Sequence, residues 1–353
     1  MRAPIAAATI LVAWWTLLTP SRAEAPFYGQ GEFPAQDSLN IQADASADAR
    51  ECLAGLAWEP AAFTVQCTPA EGLKCDALVR FPSPVDSGDA VNDRVALEWY
   101  VARDAQQRPI RARAVVVVHE SGSKMPVGRL FASELRRQGL HALMINLPHY
   151  GQRRGDRQPA RGAMFTLMRQ AIADVRRARD AVAVLPLVDA THIALQGTSL
   201  GGFVAATAAS LDATYDGVYL MLAGGDLYDI IQHGEQDTAN TRRELEQAGV
   251  TGEQLQALAR RIEPLRVCHR LDPQRTWLYS GVYDRVVPLQ NAVLLAKAAR
   301  LTESHHVQML ADHYTGIVYL PSIITEIAAR VRSAGLTPQT GTYGKGTAKP
   351  SAP

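Results

Sequence analysis

The sequence predicts an α/β protein: a mostly parallel eight-stranded sheet with helices on both faces and a small helical insert. Three observations predict it. Short apolar runs alternate with longer stretches whose apolar residues recur every three or four positions, the pattern of a parallel sheet crossed by helices. One run, AVVVV, is unbroken, as expected of a central strand buried on both faces. The chain also has 353 residues, 47% of them hydrophobic and 20% charged, enough for one large domain with an ordinary core.

The N-terminus stands apart. MRAPIAAATILVAWWTLLTPSRAEA carries one arginine, an apolar run from Ile5 to Leu18, and then small residues around Ala23 and Ala25. That run is short for a membrane span and suits a secretory signal over residues 1–25, cleaved after Ala23 or Ala25. The expected destination is periplasmic or extracellular, with no membrane span in the mature chain. Whole, the chain has a net charge of +1; without residues 1–25 it holds 34 basic and 34 acidic side chains, a net charge of zero. No basic field is left over for nucleic acid.

Residues 26–75 read as an irregular, polar N-terminal extension on the main domain, with QADASADAR opening a short helix. The strand candidates follow: DALVRFP, RVALEWYVA, RAVVVVH, HALMINL, HIALQG, GVYLMLA, TWLYSG and HVQML. Alternation in RVALEWYVA places it near an edge. Between strands, residues 127–138 put Val127, Leu130, Phe131 and Leu135 on one helical face and stop at Gly139. Residues 163–185 repeat the pattern through Phe165, Met168, Ile172, Val175, Ala178, Val182 and Leu185. Residues 226–270 are long for one crossover, and Thr241 with Glu244 and Thr251 with Gln254 have capping-box spacing. They are expected to form a helical insert or lid. Residues 76–335 make up the main domain, and residues 336–353, ending TPQTGTYGKGTAKPSAP, have no apolar periodicity and read as a disordered tail.

An exported chain with four cysteines, Cys52, Cys67, Cys75 and Cys268, permits disulfides. Cys67 and Cys75 are the natural local pair, and Cys52–Cys268 would pin the N-terminal segment to the body; other connectivities stay open. No CxxC or histidine-rich spacing indicates a metal site.

In an open parallel sheet ligands bind beyond the carboxyl ends of the strands, so a catalytic residue should follow a strand. Ser199 does: GTSLGG comes directly after HIALQ and before a small-residue helix, FVAATAASL. Glycines at 197, 201 and 202 suit a strained strand-to-helix turn, the Gly-x-Ser-x-Gly arrangement that exposes a nucleophilic serine. A serine hydroxyl needs a base, expected after the last strand, with an acid between the two in sequence. His305 and His306 precede HVQML; His313, in LADHYTG, follows it and is the candidate base. Asp284, in SGVYDRVVP, follows TWLYSG and is the candidate acid; Asp226, after LMLAGG, is the alternative. An oxyanion needs two backbone N–H donors. Leu200 supplies one, and Glu120 or, second, Ser121 in the loop HESGS supplies the other.

The series VVVVHESG, LPHYGQRR, GTSLGG, SGVYDRVVP and ADHYTG resembles the alpha/beta-hydrolase superfamily, and within it esterases of the dienelactone hydrolase and acetyl xylan esterase kind. The helix FTLMRQAIADVRRARDAVAVLP leading into HIALQGTSLGG strengthens the likeness, which spans about residues 76–335. Two departures stand out: the oxyanion loop reads His-Glu where many members have His-Gly, and the base follows Asp312 where a glycine is common. The resemblance implies carboxylic ester hydrolysis through an acyl-serine intermediate without metal or organic cofactor, on a small-molecule or carbohydrate-linked ester. The loop PHYGQRRGDR also lies at a strand's carboxyl end, so His149, Tyr150, Arg153 and Arg154, with His119, are candidate substrate-binding residues. An arginine pair there could hold a substrate carboxylate bidentately, or serve as salt-bridged structure. Two other classes of function compete: a serine peptidase or amidase on the same fold, and a binding protein that keeps the fold without catalysis. The oligomeric state has no signature in the sequence.

Overall fold

The computed structural model describes residues 29–156, 159–160 and 162–334. The expected signal segment, its expected cleavage sites and the expected C-terminal tail lie outside the described residues. A single sheet organises the chain, in the order β1(Gly31–Gln36), β2(Ala62–Pro69), β3(Ala77–Pro82), β4(Arg94–Tyr100), β6(His141–Asn146), β5(Ala112–Val118), β7(Val188–Thr198), β8(Gly217–Met221), β9(Thr276–Gly281), β10(His306–Met309). From β6 to β10 all neighbours are parallel, so their carboxyl ends open on one side; β1 to β4 are antiparallel to their neighbours.

The sheet therefore has ten strands, not eight. The two additional strands come from the segment read as an irregular extension. GEFPAQ and AFTVQCTP are short; AFTVQCTP alternates, burying Phe63, Val65 and Cys67, and the two pair with each other and with β3. The helix expected there does form, as α1(Ala47–Leu56), capped by the Ser46 side chain on the Ala49 amide. A buried ion pair and a hydrogen bond fasten the segment to the body: Arg177 meets Asp37 at 2.8 Å, and Ser38 donates to Asp180 at 2.7 Å.

With two more strands on that side, β4 is interior rather than near an edge. Both its faces are buried, and its one charged inward side chain, Glu98, pairs with Arg129 at 2.7 Å. The unbroken run in β5 behaves as expected: Ala114 to Val118 are fully buried between β6 and β7.

Alternate residues of β5 define two cores. Val116 and Val118 face the layer of α3(Met164–Ala183) and α4(Leu200–Ser210); Val115 and Val117 face α2(Pro126–Arg137) and α9(Leu320–Ser333). Cys67 belongs to the first core and Cys75 to the second, so the sheet itself separates the expected local pair. All four cysteines are free, buried thiols, and burial pushes Cys52 up to about 11 and Cys67, Cys75 and Cys268 up to about 12.

Between β8 and β9 the insert forms α5(Leu227–His233), α6(Asp237–Gln247) and α7(Gly252–Arg260); β9 returns the chain to the sheet, and α8(Leu289–Ala298) follows it. α7 starts where expected, with Thr251 at its N-cap position, though the Thr251 side chain makes no capping hydrogen bond. Thr241 does not start a helix: α6 already begins at Asp237, and the Thr241 hydroxyl donates back to the Asp237 carbonyl at 3.2 Å.

Candidate active site

Ser199 sits between β7 and α4 with φ +51° and ψ −117°, a conformation that a non-glycine residue adopts only when its surroundings force it. The surroundings are close backbone. A Cβ at Gly201 would stand 2.2 Å from the Val118 carbonyl oxygen, and one at Gly197 would stand 2.3 Å from the Gly201 carbonyl oxygen. The Ser199 amide is tied to the Met221 carbonyl of β8 at 2.8 Å, so the turn is anchored on both sides.

The hydroxyl of Ser199 lies 2.9 Å from His313 Nε2, and His313 Nδ1 lies 2.7 Å from Asp284 Oδ2. Asp284 is buried, and its other oxygen, Oδ1, accepts the amides of Val286 and Val287 at 2.8 and 2.9 Å. A carboxylate held by two amides orients the imidazole so that Nδ1–H donates to it and Nε2 is free to accept from the serine. All three residues follow the carboxyl ends of parallel strands β7, β9 and β10, which explains how positions 114 and 29 residues apart meet. Asp226, the alternative acid, is occupied otherwise: its side chain accepts the Asp229 amide at 3.1 Å and caps α5.

Leu200 opens α4, so its amide belongs to the first turn, whose N–H groups have no intrahelical partner. Across from it, Ser121 lines the same cavity as Ser199 and Leu200. The Glu120 side chain turns away from that cavity: its two carboxylate oxygens accept the Val127 and Gly128 amides at 2.8 and 2.9 Å. Glu120 thus satisfies the start of α2, which begins at a proline and receives no cap from Met125. Of the two residues offered for the second donor, Ser121 lines the cavity, and the side chain of Glu120 is spent on the start of α2.

Of the five candidate substrate-binding side chains, only Tyr150 lines the cavity. Arg153 is the main correction. It is fully buried, pairs with Asp174 at 2.8 Å and donates to the Asn92 carbonyl at 2.7 Å, because the turn after β6 points it under the sheet's end and toward α3. Arg154 points to solvent away from the cavity. His149 contributes its amide, which donates to Asn92 Oδ1 at 3.1 Å. His119 is a brace: Nδ1–H donates to the Glu120 carbonyl at 2.6 Å while Nε2 accepts the Leu147 amide at 3.1 Å, joining the loops after β5 and β6. Burial holds its imidazole down at about 4, so it stays neutral.

The cavity beside Ser199 has a volume of about 580 Å³ and is walled by residues from α3, α4, α5 and α6. The insert therefore does border the site. Asp237 and Glu244 of α6 and Leu227, Ile230 and Ile231 of α5 reach it; in the sequence Glu244 stands only as part of a capping-box spacing, and the others carry no signal. Next to His313, burial first and the Asp237 carboxylate second push the Tyr314 hydroxyl up to about 12, which keeps it a donor toward α6.

Residues 160–316 match the prolyl oligopeptidase family. No curated protein matches the sequence significantly. Among solved structures the chain is similar to an acetyl xylan esterase from Paenibacillus sp. R4, at 17% identity and a TM-score of 0.58, covering 82% of this chain and 96% of the other. It is also similar to acetyl xylan esterase 1 from Thermoanaerobacterium sp. JW/SL YS485, at 13% identity and a TM-score of 0.55, with coverage of 82% and 96%. A third is the alpha/beta hydrolase GrgF from Penicillium sp. sh18, at 16% identity and a TM-score of 0.51, covering 72% and 97%. At these identities the likeness establishes a shared fold.

Proposed function

We propose that this alpha/beta hydrolase cleaves a carboxylic ester through an acyl-serine intermediate. The observation that carries the reading is the unbroken hydrogen-bond chain from Ser199 through His313 to Asp284, opening on a cavity deep enough to hold an acyl or alcohol group. In this reading Ser199 Oγ attacks the ester carbonyl carbon while His313 Nε2 takes its proton, and the carbonyl electrons move onto oxygen. The amides of Leu200 and Ser121 receive that oxyanion. The tetrahedral intermediate collapses, the bond to the alcohol oxygen breaks, and His313 gives the proton to the departing alcohol. Water then repeats the sequence on the acyl-serine, releasing the carboxylic acid and restoring the hydroxyl. Asp284 stays ionised throughout and stabilises the imidazolium.

A second reading is amide cleavage with the same residues, favoured by the match of residues 160–316 to the prolyl oligopeptidase family. We also propose that the chain is exported after loss of residues 1–25, on the apolar run of its N-terminus. An N-terminal mass of the secreted protein starting at Glu24 or Pro26 checks this, and an intact Met1 would refute it.

The test of the main reading is mass spectrometry of the protein after exposure to a fluorophosphonate, followed by rates on matched chromogenic esters and anilides. An adduct on Ser199 with ester turnover supports it. Labelling with anilide turnover alone would move amide cleavage to the front, and a folded protein without an adduct would favour the binding protein.

A further inference from the structure

We infer that the site selects esters carrying a bulky, apolar, uncharged group, and that α6 supplies the discrimination against anionic ones. The inference rests on the ester reading above and deepens it. The cavity bordering Ser199, at about 580 Å³, lies well within the range of pockets that enclose drug-sized ligands, and far exceeds what a two-carbon acyl group occupies. Its deep wall is apolar: Leu167 and Met168 of α3, Phe203 of α4, Ile230 and Ile231 of α5, and Val287 before α8. Water in such a space is easily displaced by hydrocarbon, so binding strengthens with each methylene placed there.

Charge gives the second half. The described residues lining the cavity include two carboxylates, Asp237 and Glu244, both on α6, and no lysine, arginine or histidine. The arginine pair that the sequence offered for a substrate carboxylate is elsewhere: Arg153 is consumed by Asp174, and Arg154 points to solvent. Among the described lining residues a substrate carboxylate would therefore meet like charge and no cation, while losing its water. A neutral chain meets neither cost. The same frame that positions Ser199 thus rejects acidic esters through α6 of the insert.

The test uses the full-length protein and three 4-nitrophenyl esters: acetate, octanoate, and the half-ester of suberic acid, which matches octanoate in length but ends in a carboxylate. We expect kcat/KM for octanoate to exceed that for acetate by at least about tenfold and to exceed that for the suberate by a similar factor. Ile230→Trp, which fills the cavity, should lower the octanoate-to-acetate ratio. Glu244→Lys, at an exposed helix position, should narrow the octanoate-to-suberate gap several-fold at low salt, with the effect fading at high ionic strength. Acetate turned over as well as octanoate, or suberate as well as octanoate, would overturn the proposal while leaving the ester reading intact. No turnover of any of the three, or turnover that persists in Ser199→Ala, would overturn both.

Discussion

His313 Nε2 lies 2.9 Å from Ser199 Oγ, across a sheet in which β8 and β9 separate the strands that carry them. The contact exists because parallel strands deliver their carboxyl ends to one side. It has a direct consequence for variants. Ser199→Ala and His313→Ala should each lower kcat by several orders of magnitude, and combining them should cost little more than either alone, since residues acting as a unit are not additive. Asp284→Asn should lower kcat by about 10⁴ with KM little changed, because the imidazole would be held in the wrong tautomer. Single-turnover rates with circular dichroism as a folding control check this; additive losses in the double variant would contradict it.

The Arg153–Asp174 pair, both side chains fully buried, makes a different prediction. Arg153→Ala leaves an unpaired buried carboxylate and should cost about 3–5 kcal/mol of stability. It should not raise KM for acidic esters selectively. The double replacement Arg153→Met with Asp174→Leu should recover much of that stability, since apolar groups of similar size can replace a buried pair. Urea unfolding midpoints with ester kinetics decide it, and a selective effect on acidic esters with unchanged stability would return Arg153 to the binding site.

Two buried histidines set a pH dependence. Burial holds His119 and His141 down at about 4, below the usual value near 6.5. In His141 the Nδ1 accepts from Trp99 Nε1 and the Ala102 amide, while Nε2–H donates to the Leu187 carbonyl. Between about pH 6.5 and 4 the unfolded chain takes up protons that the folded chain refuses. The contribution of each is therefore complete above the unfolded value and is lost as pH falls through that window, on the order of 3 kcal/mol apiece by pH 4. Burial lowers His192 and His306 as well, so unfolding free energies measured from pH 7.5 to 4.5 should fall with a slope of about two protons or more; a flat profile over that range would refute the assignment.

The four cysteines should behave as buried thiols. In a native, unreduced sample a thiol reagent should react slowly with all of them, and unfolding should release four equivalents, because desolvation keeps the thiolate scarce. Fewer than four after unfolding would indicate a disulfide.

Much of this molecule was legible in the linear chain. The eight strand candidates reappear as β3 to β10 within a residue or two in most cases, because apolar runs between helical patterns report burial on two faces of a sheet. The meeting of Ser199, Asp284 and His313 was legible for a related reason: in a parallel sheet, order along the chain implies which end of the sheet a residue occupies. What lay beyond reach were side-chain directions and partners. β1 is a strand only through its pairing with β2, and the short alternation of β2 stands within an otherwise polar, irregular stretch. Arg153 and Arg154 are adjacent, and only the turn after β6 decides that one is buried against Asp174 while the other meets solvent. Glu120 reads as a break in the oxyanion loop until α2 presents it two bare amides. Cys67 and Cys75 are near in sequence and separated by the sheet. The sequence by itself determined the order of β3 to β10 and the placement of the candidate nucleophile, acid and base, since those follow from local pattern and strand direction. The tertiary structure decided which charges are spent on one another and which walls enclose the site, since those depend on contacts between segments far apart along the chain.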